Sequence, residues 1–124
     1  MQANHPLLNR TLRGTIENSS DILLINVSTE DGFTLSQLSV IEIEQDKVAA
    51  MTSSLSSMSN AACKMLGASD YTISMLESKE LNLFFLKSTY QNKPCVISAC
   101  AKSKLTLGQA RFALRQLNDS IKEI

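Results

Sequence analysis

The sequence predicts an α+β fold in which helices cover a mostly antiparallel sheet, in the order α-β-β-α-β-β-β-α. Three observations carry this. Residues 46–67 hold apolar side chains at helical spacing over six turns. Five short apolar or alternating runs are separated by tight turn chemistry. Each terminal segment carries a narrow apolar stripe with a helix-start signal in front of it.

Residues 4–18 form the first predicted helix. Asn4 or His5 is placed to cap it, Pro6 suits a first turn, and Leu8, Leu12 and Ile16, supported by Thr15, make its stripe. Asn18-Ser19-Ser20-Asp21 is a turn. The run Ile22–Ser28 is apolar almost throughout, as in a strand covered on both faces. Asp31-Gly32 signals a hairpin, and the return strand runs from Phe33 to about Ser39.

The next helix organises the chain. Val48, Met51, Leu55, Met58, Ala62 and Met65 are spaced three or four apart and are expected to face the home sheet. Asp46 is placed to cap the start, and Gly67 to end it in the left-handed conformation. The opposite face holds Ala49, Ser53, Ser56, Ser57, Asn60 and Lys64, and one flank holds Ala50, Ser54, Ser57 and Ala61. Five of the seven residues 53–59 are Ser, whereas a purely solvated helix face is usually built from Glu, Lys, Arg and Gln. Small side chains admit another backbone closely. The helix therefore reads as double-sided, with Ala50, Ser53, Ser54, Ser57, Asn60, Ala61 and Lys64 as the face that meets a partner.

After a loop at Ala68-Ser69-Asp70, Tyr71–Glu77 reads as a strand with Tyr71, Ile73 and Met75 on one face. Turns at Ser78-Lys79-Glu80 and Tyr90–Lys93 separate it from strands at Leu81–Lys87 and Cys95–Ala101, which together suggest a meander. Thr106 and Gln109 form a capping box for the last helix, and Leu105 can staple onto Ala110. Leu107, Leu114, Leu117, Ile121 and Ile124 mark its buried side.

The totals exclude several function classes. The 124 residues suit one domain spanning 1–124, and the formal net charge is zero. That balance offers no electrostatic attraction for nucleic acid or an anionic membrane. No run approaches a bilayer span, and the first residues lack a secretory apolar stretch. Cys63, Cys95 and Cys100 are an odd number with no C-x-x-C pair, and Cys95 and Cys100 point to opposite faces of their strand. Free thiols suit a reducing cytoplasmic setting. The chain has no G-x-S-x-G, no phosphate-binding glycine loop, no H-E-x-x-H and a single histidine, His5, whose spacing does not pair it with Cys63. No catalytic residue, cofactor site or metal site is expected, and the chain reads as an interaction domain rather than an enzyme.

The layout resembles the Roadblock / dynein-light-chain superfamily, and within it the stand-alone prokaryotic MglB-like regulators of gliding motility. The resemblance spans nearly the whole chain. It rests on the Asp31-Gly32 hairpin, on Asp46, Ala49, Ala50, Met51, Ser54, Leu55, Met58, Ser59 and Ala62 in the long helix, and on Leu107, Gly108 and Arg111 in the last one. The Ser-rich tract and the longer lead Leu38–Gln45 depart from the family pattern.

The resemblance implies a profilin-like sandwich: a five-stranded sheet with the terminal helices on one face and the long middle helix on the other. It also implies a homodimer in which the long helices lie side by side and the third strands, with Tyr71, Ile73 and Met75, pair edge to edge. The implied role is that of a non-catalytic regulator or adaptor of a small Ras-like GTPase. Arg10, Arg13, Arg111 and Arg115 all lie outside the long helix, so a partner docked on that helix would receive no arginine finger from it. The other roles left open are a scaffold subunit of a motor or membrane-associated complex, and a small-molecule sensor with the Met stripe lining a pocket.

Overall fold

The computed structural model describes residues 5–124. Its elements follow the expected order: α1 (Pro6–Asn18), β1 (Ile22–Thr29), β2 (Thr34–Ser39), α2 (Gln45–Met65), β3 (Ser74–Glu77), β4 (Leu81–Tyr90), β5 (Lys93–Lys102) and α3 (Leu107–Lys122). The strands form one sheet in the order β2-β1-β5-β4-β3, with every pairing antiparallel.

Alternation along the strands splits the sheet into two unlike faces. Ile25 and Val27 of β1, Phe84 and Leu86 of β4, and Cys95, Ile97 and Ala99 of β5 face α1 and α3. There they meet Leu8 and Leu12 of α1 and Ala110, Leu114, Leu117 and Ile121 of α3, forming the main core. The second face is thinner. Its buried apolar cluster is Tyr71, Phe85 and Val96, with Leu55, Cys63 and Leu83 packed at the margin, and it lies under α2. Beside Val48 and Ala49 of the helix, the rest of that layer is rich in polar groups: Asn26, Ser28 and Ser98 from the sheet, and Thr52 and Ser56 from the helix, are all buried.

Several end signals act as expected. Thr106 and Gln109 complete the capping box of α3. Gly67, at φ 77°, closes α2: its N–H donates to the Lys64 carbonyl, and the Ala68 N–H donates to that of Cys63. Gly32, at φ 95°, turns the first hairpin. Gln91 and Asn92, at φ 50° and 64°, turn the β4–β5 hairpin as a two-residue loop that lets β4 and β5 run longer than expected.

Other expectations are corrected. His5 stands at the α1 N-cap, one of the two expected positions, but its side chain makes no capping bond; Asn4 lies outside the described residues. The imidazole Nδ1 of His5 lies 2.8 Å from the Tyr90 hydroxyl, on the α1/α3 side of the sheet and so away from Cys63 of α2. Asp46 does not cap α2; Glu44 occupies the N-cap without a side-chain bond, and Asp46 sits in the first turn. Leu107 is exposed, because the capping box leaves it at the solvent side of the first turn of α3. β3 is shorter than expected. Tyr71 precedes it and turns under α2, while Ile73 packs into the opposite core, so Tyr71 and Ile73 do not share a face.

Candidate functional site

The long helix is rotated relative to the simple hydrophobic reading. Of the six residues expected to face the sheet, only Val48 is fully buried and Leu55 half-buried. Met51, Met58 and Met65 are 42%, 64% and 85% exposed. The face turned to the sheet is instead Val48, Ala49, Thr52 and Ser56, continued by half-buried Ser59 and Cys63.

The reason lies in what the sheet offers. Its α2 face carries short polar side chains, and a helix face of Ser, Thr and Ala can lie close to them, while its serines bond to the loops and edge strand around the sheet. Ser56 Oγ lies 2.6 Å from the Tyr71 hydroxyl. Ser53 Oγ donates to the Glu30 carbonyl at 2.8 Å, and Ser74 Oγ donates to Ser59 Oγ at 3.1 Å. Thr34 Oγ1 donates to the Gln45 carbonyl at 3.1 Å, and Asn26 Nδ2 reaches the same oxygen at 3.5 Å, which pins the start of α2 to the sheet. Three of the five serines in the 53–59 tract are therefore ties to the home chain.

This rotation decides where the expected partner-face residues lie. Ala50, Ser54, Ser57, Ala61 and Lys64 are exposed, whereas Ser53 and Asn60 are half-buried and Ser53 is tied to the first hairpin. The Met residues join the exposed set. Met51, Ser54, Met58, Ala61 and Met65 recur at spacings of three and four, making a stripe in which large and small side chains alternate. No charged residue occurs between Lys47 and Lys64, so the stripe is uncharged over four turns of helix. Leu66, 82% exposed, extends it. Met51, Met58 and Met65 turn away from the sheet, so they do not line a pocket between sheet and helix, and the sensor reading loses its basis.

The edge of the sheet continues this surface. β3 is a terminal strand of the sheet and pairs with β4 alone. It is joined to α2 through Ser74–Ser59. Leu76 shares the α2 side with Ser74, and Met75 stands opposite Phe84 on the other side; both are exposed. Ile73 is half-buried and Tyr71 buried, so of the expected edge residues only Met75 presents itself on the strand. The lead into α2 adds exposed Val40, Ile41 and Ile43 at the helix N-terminal end. Together these residues make the exposed apolar surface around α2 and the β3 edge.

The charged groups nearby tie loops of the fold together, and Cys95 lies on the opposite face of the sheet in the α1/α3 core. Lys87 bridges Asp70 at 3.1 Å and Glu30 at 3.4 Å, linking the loop after α2 to the first hairpin; the bond to Asp70 chiefly raises its pKa. Burial raises the pKa of Tyr71, and it pushes the Cys95 thiol up to about 11. No group of three or more His, Cys, Asp and Glu among the described residues could hold a metal ion. No helix among them is long and apolar enough to cross a membrane.

No family model matches the sequence, and no curated protein matches it. Solved structures match its fold closely. MglB from Myxococcus xanthus superposes with a TM-score of 0.84 at 12% identity, over 99% of this chain and 92% of that one. The gliding protein MglB from Thermus thermophilus gives 0.82 at 11% identity, over 99% and 93%. A Roadblock/LC7 domain from Streptomyces avermitilis gives 0.80 at 19% identity, over 93% and 94%. At these identities the likeness is one of fold: the chain has the MglB-type Roadblock/LC7 fold, including the placement of the two terminal helices opposite the long one.

Proposed function

We propose that this chain is a non-catalytic, cytoplasmic, homodimeric regulator or adaptor of a small Ras-like GTPase, acting through α2. The observation that carries the reading is the uncharged stripe Met51–Ser54–Met58–Ala61–Met65, exposed on α2 and continuous with the β3 edge. A second copy can cover both at once. Two such stripes run antiparallel about Met58 would set Met51 near Met65 of the other copy and Met58 against itself, with Ser and Ala leaving room for each Met. The unpaired edge of β3 would gain a strand in the same event. The paired helices then form one broad platform on the side away from α1 and α3.

Arg10, Arg13, Arg111 and Arg115 lie on α1 and α3, across the sheet from that platform. A GTPase docked on α2 would thus receive no arginine from this chain. Regulation would proceed by holding the GTPase switch loops in one arrangement, a shift of population rather than donation of a catalytic group.

The test is solution mass by size-exclusion chromatography with light scattering, alone and with a small Ras-like GTPase in its GDP and GTP states. A dimer that binds only one nucleotide state supports the reading, and a change in GTP turnover then separates a regulator from a passive scaffold. A monomer indifferent to both states overturns it.

A further inference from the structure

On the α1/α3 side of the sheet, beside the β3 edge, lies a cleft of about 150 Å³. Ile73, Leu86 and Leu114 form its apolar lining, and Arg111, Arg115 and Asn118 its polar lining. Arg111 and Arg115 are one helical turn apart on α3, so both guanidinium groups serve the same cleft. Among the described residues neither has an ion-pair partner, and Asn118 is engaged by the Ser88 hydroxyl. The cleft thus concentrates two positive charges next to a strand edge that pairs on one side only.

The edge strand carries the complementary charge. Glu77 stands opposite Asn82 on β4, two residues from the Met75–Phe84 pair, and Phe84 belongs to the α1/α3 core. Glu77 therefore projects on the same side of the sheet as the cleft. It too is exposed and without an ion-pair partner among the described residues. Within one chain Ile73 immediately precedes β3 and Glu77 ends it, roughly 13 Å further along the strand, so Glu77 is not among the residues that line its own cleft.

Twofold pairing brings them together. In an antiparallel pair, directly opposed residues share a face, with Cβ atoms roughly 4.5–5.5 Å apart. A twofold axis at Met75 sets Glu77 of a second copy opposite Ile73, at the mouth of the cleft. An axis at Leu76 sets it opposite Met75, on the same face. Both registers deliver the carboxylate to the arginine side of the sheet.

We infer that Arg111 and Arg115 form a receptor for Glu77 of a second copy, making a reciprocal ion pair that fixes the register and the partner choice of the β3–β3 contact. The inference rests on the dimer reading above and adds a self-recognition code to it. A bidentate guanidinium–carboxylate contact is directional, and like charges in its place are repulsive. The twofold axis places the contact twice in each dimer.

Charge reversal tests it without disturbing the core, because all three side chains are exposed. Glu77→Arg and the double variant Arg111→Glu/Arg115→Glu are each examined by sedimentation across a dilution series, with circular dichroism and melting as fold controls. Each variant alone should weaken self-association roughly tenfold or more, and Glu77→Gln should weaken it less. An equimolar mixture of the two reversed variants should restore wild-type association, since every Glu then meets an Arg. Folded variants that dimerise like wild type, or a mixture that stays dissociated, overturn the ion pair while leaving the dimer in place. A monomeric wild type overturns the dimer reading and the ion pair with it.

Discussion

The Ser56 and Tyr71 hydroxyl oxygens lie 2.6 Å apart in the buried layer between α2 and the sheet, and this contact fixes which side of the long helix faces inward. Tyr71 also stacks edge-on against Phe85, with ring centroids 5.7 Å apart, so its hydroxyl cannot swing away without loss of packing. Removing either hydroxyl leaves the other buried and unpaired. Ser56→Ala and Tyr71→Phe should each cost about 1–2 kcal/mol in urea denaturation. The double variant should cost less than the sum, because the second change removes the orphan left by the first. Strict additivity would show that the two oxygens do not interact.

The rotation of α2 makes a sharper prediction from two neighbouring positions. Ser56→Leu looks conservative on a hydrophobic wheel, yet the site is buried against the sheet and should lose about 1–3 kcal/mol through overpacking. Met58→Glu looks disruptive, yet Met58 is 64% exposed, so the stability of the folded monomer should change by less than about 0.5 kcal/mol. The same Met58→Glu variant should abolish self-association by light scattering, since it places two carboxylates together at the proposed axis. The reverse pattern, a tolerant position 56 and an unfolded Met58→Glu, would restore the Met face to the sheet.

The sequence made the order of elements legible because each is written in local chemistry: Thr106 and Gln109 for a helix start, Gly67 for a helix end, Asp31-Gly32 for a turn. The orientation of α2 was not legible by the same means. Hydrophobic periodicity finds the most apolar stripe and assigns it to the home core, but in a helix covered on two sides the most apolar stripe can belong to the partner. The signal was present elsewhere in the chain. Asn26, Ser28 and Ser98 are polar residues inside otherwise apolar strands, and a strand face of that kind requires a polar helix face above it. Read together with Ser53, Ser56 and Ser59, they would have turned the helix correctly. The cleft at Arg111 and Arg115 was beyond sequence reasoning, because only the fold brings α3 beside the segment leading into β3.

Two glycines should respond to alanine with opposite signs. Gly14 lies inside α1, and a Cβ there would meet nothing within 4 Å. Gly14→Ala should stabilise the chain by about 0.5–1 kcal/mol by removing backbone freedom from the unfolded state. Gly67 also has open space around it, but its φ of 77° is the left-handed region. Gly67→Ala should cost about 1–2 kcal/mol, with no steric contribution from neighbouring side chains. Thermal melting of the two variants separates the conformational effect from packing, which is absent at both sites.

Alkaline pH should expose the buried thiol of Cys95. Burial moves it from 9.0 up to about 11, so the folded state holds the proton more tightly than the unfolded state does. Such a group contributes its full stability below the unfolded value and loses it as pH rises through the folded one. The unfolding free energy from urea titrations should therefore hold steady up to about pH 9 and fall between pH 9 and about 11, by roughly 2–3 kcal/mol from this thiol at most. Tyr71, raised by burial from 10.0, extends the fall to higher pH. Cys95→Ala lowers the absolute stability by opening a small cavity, but it should flatten the slope in that window. Because the thiol is 1% exposed, alkylation of Cys95 in the native protein should proceed only as fast as the chain unfolds. A Cys95→Ala variant with an unchanged alkaline slope, or rapid native-state alkylation of Cys95, would show that the thiol is not sealed under the α1/α3 layer.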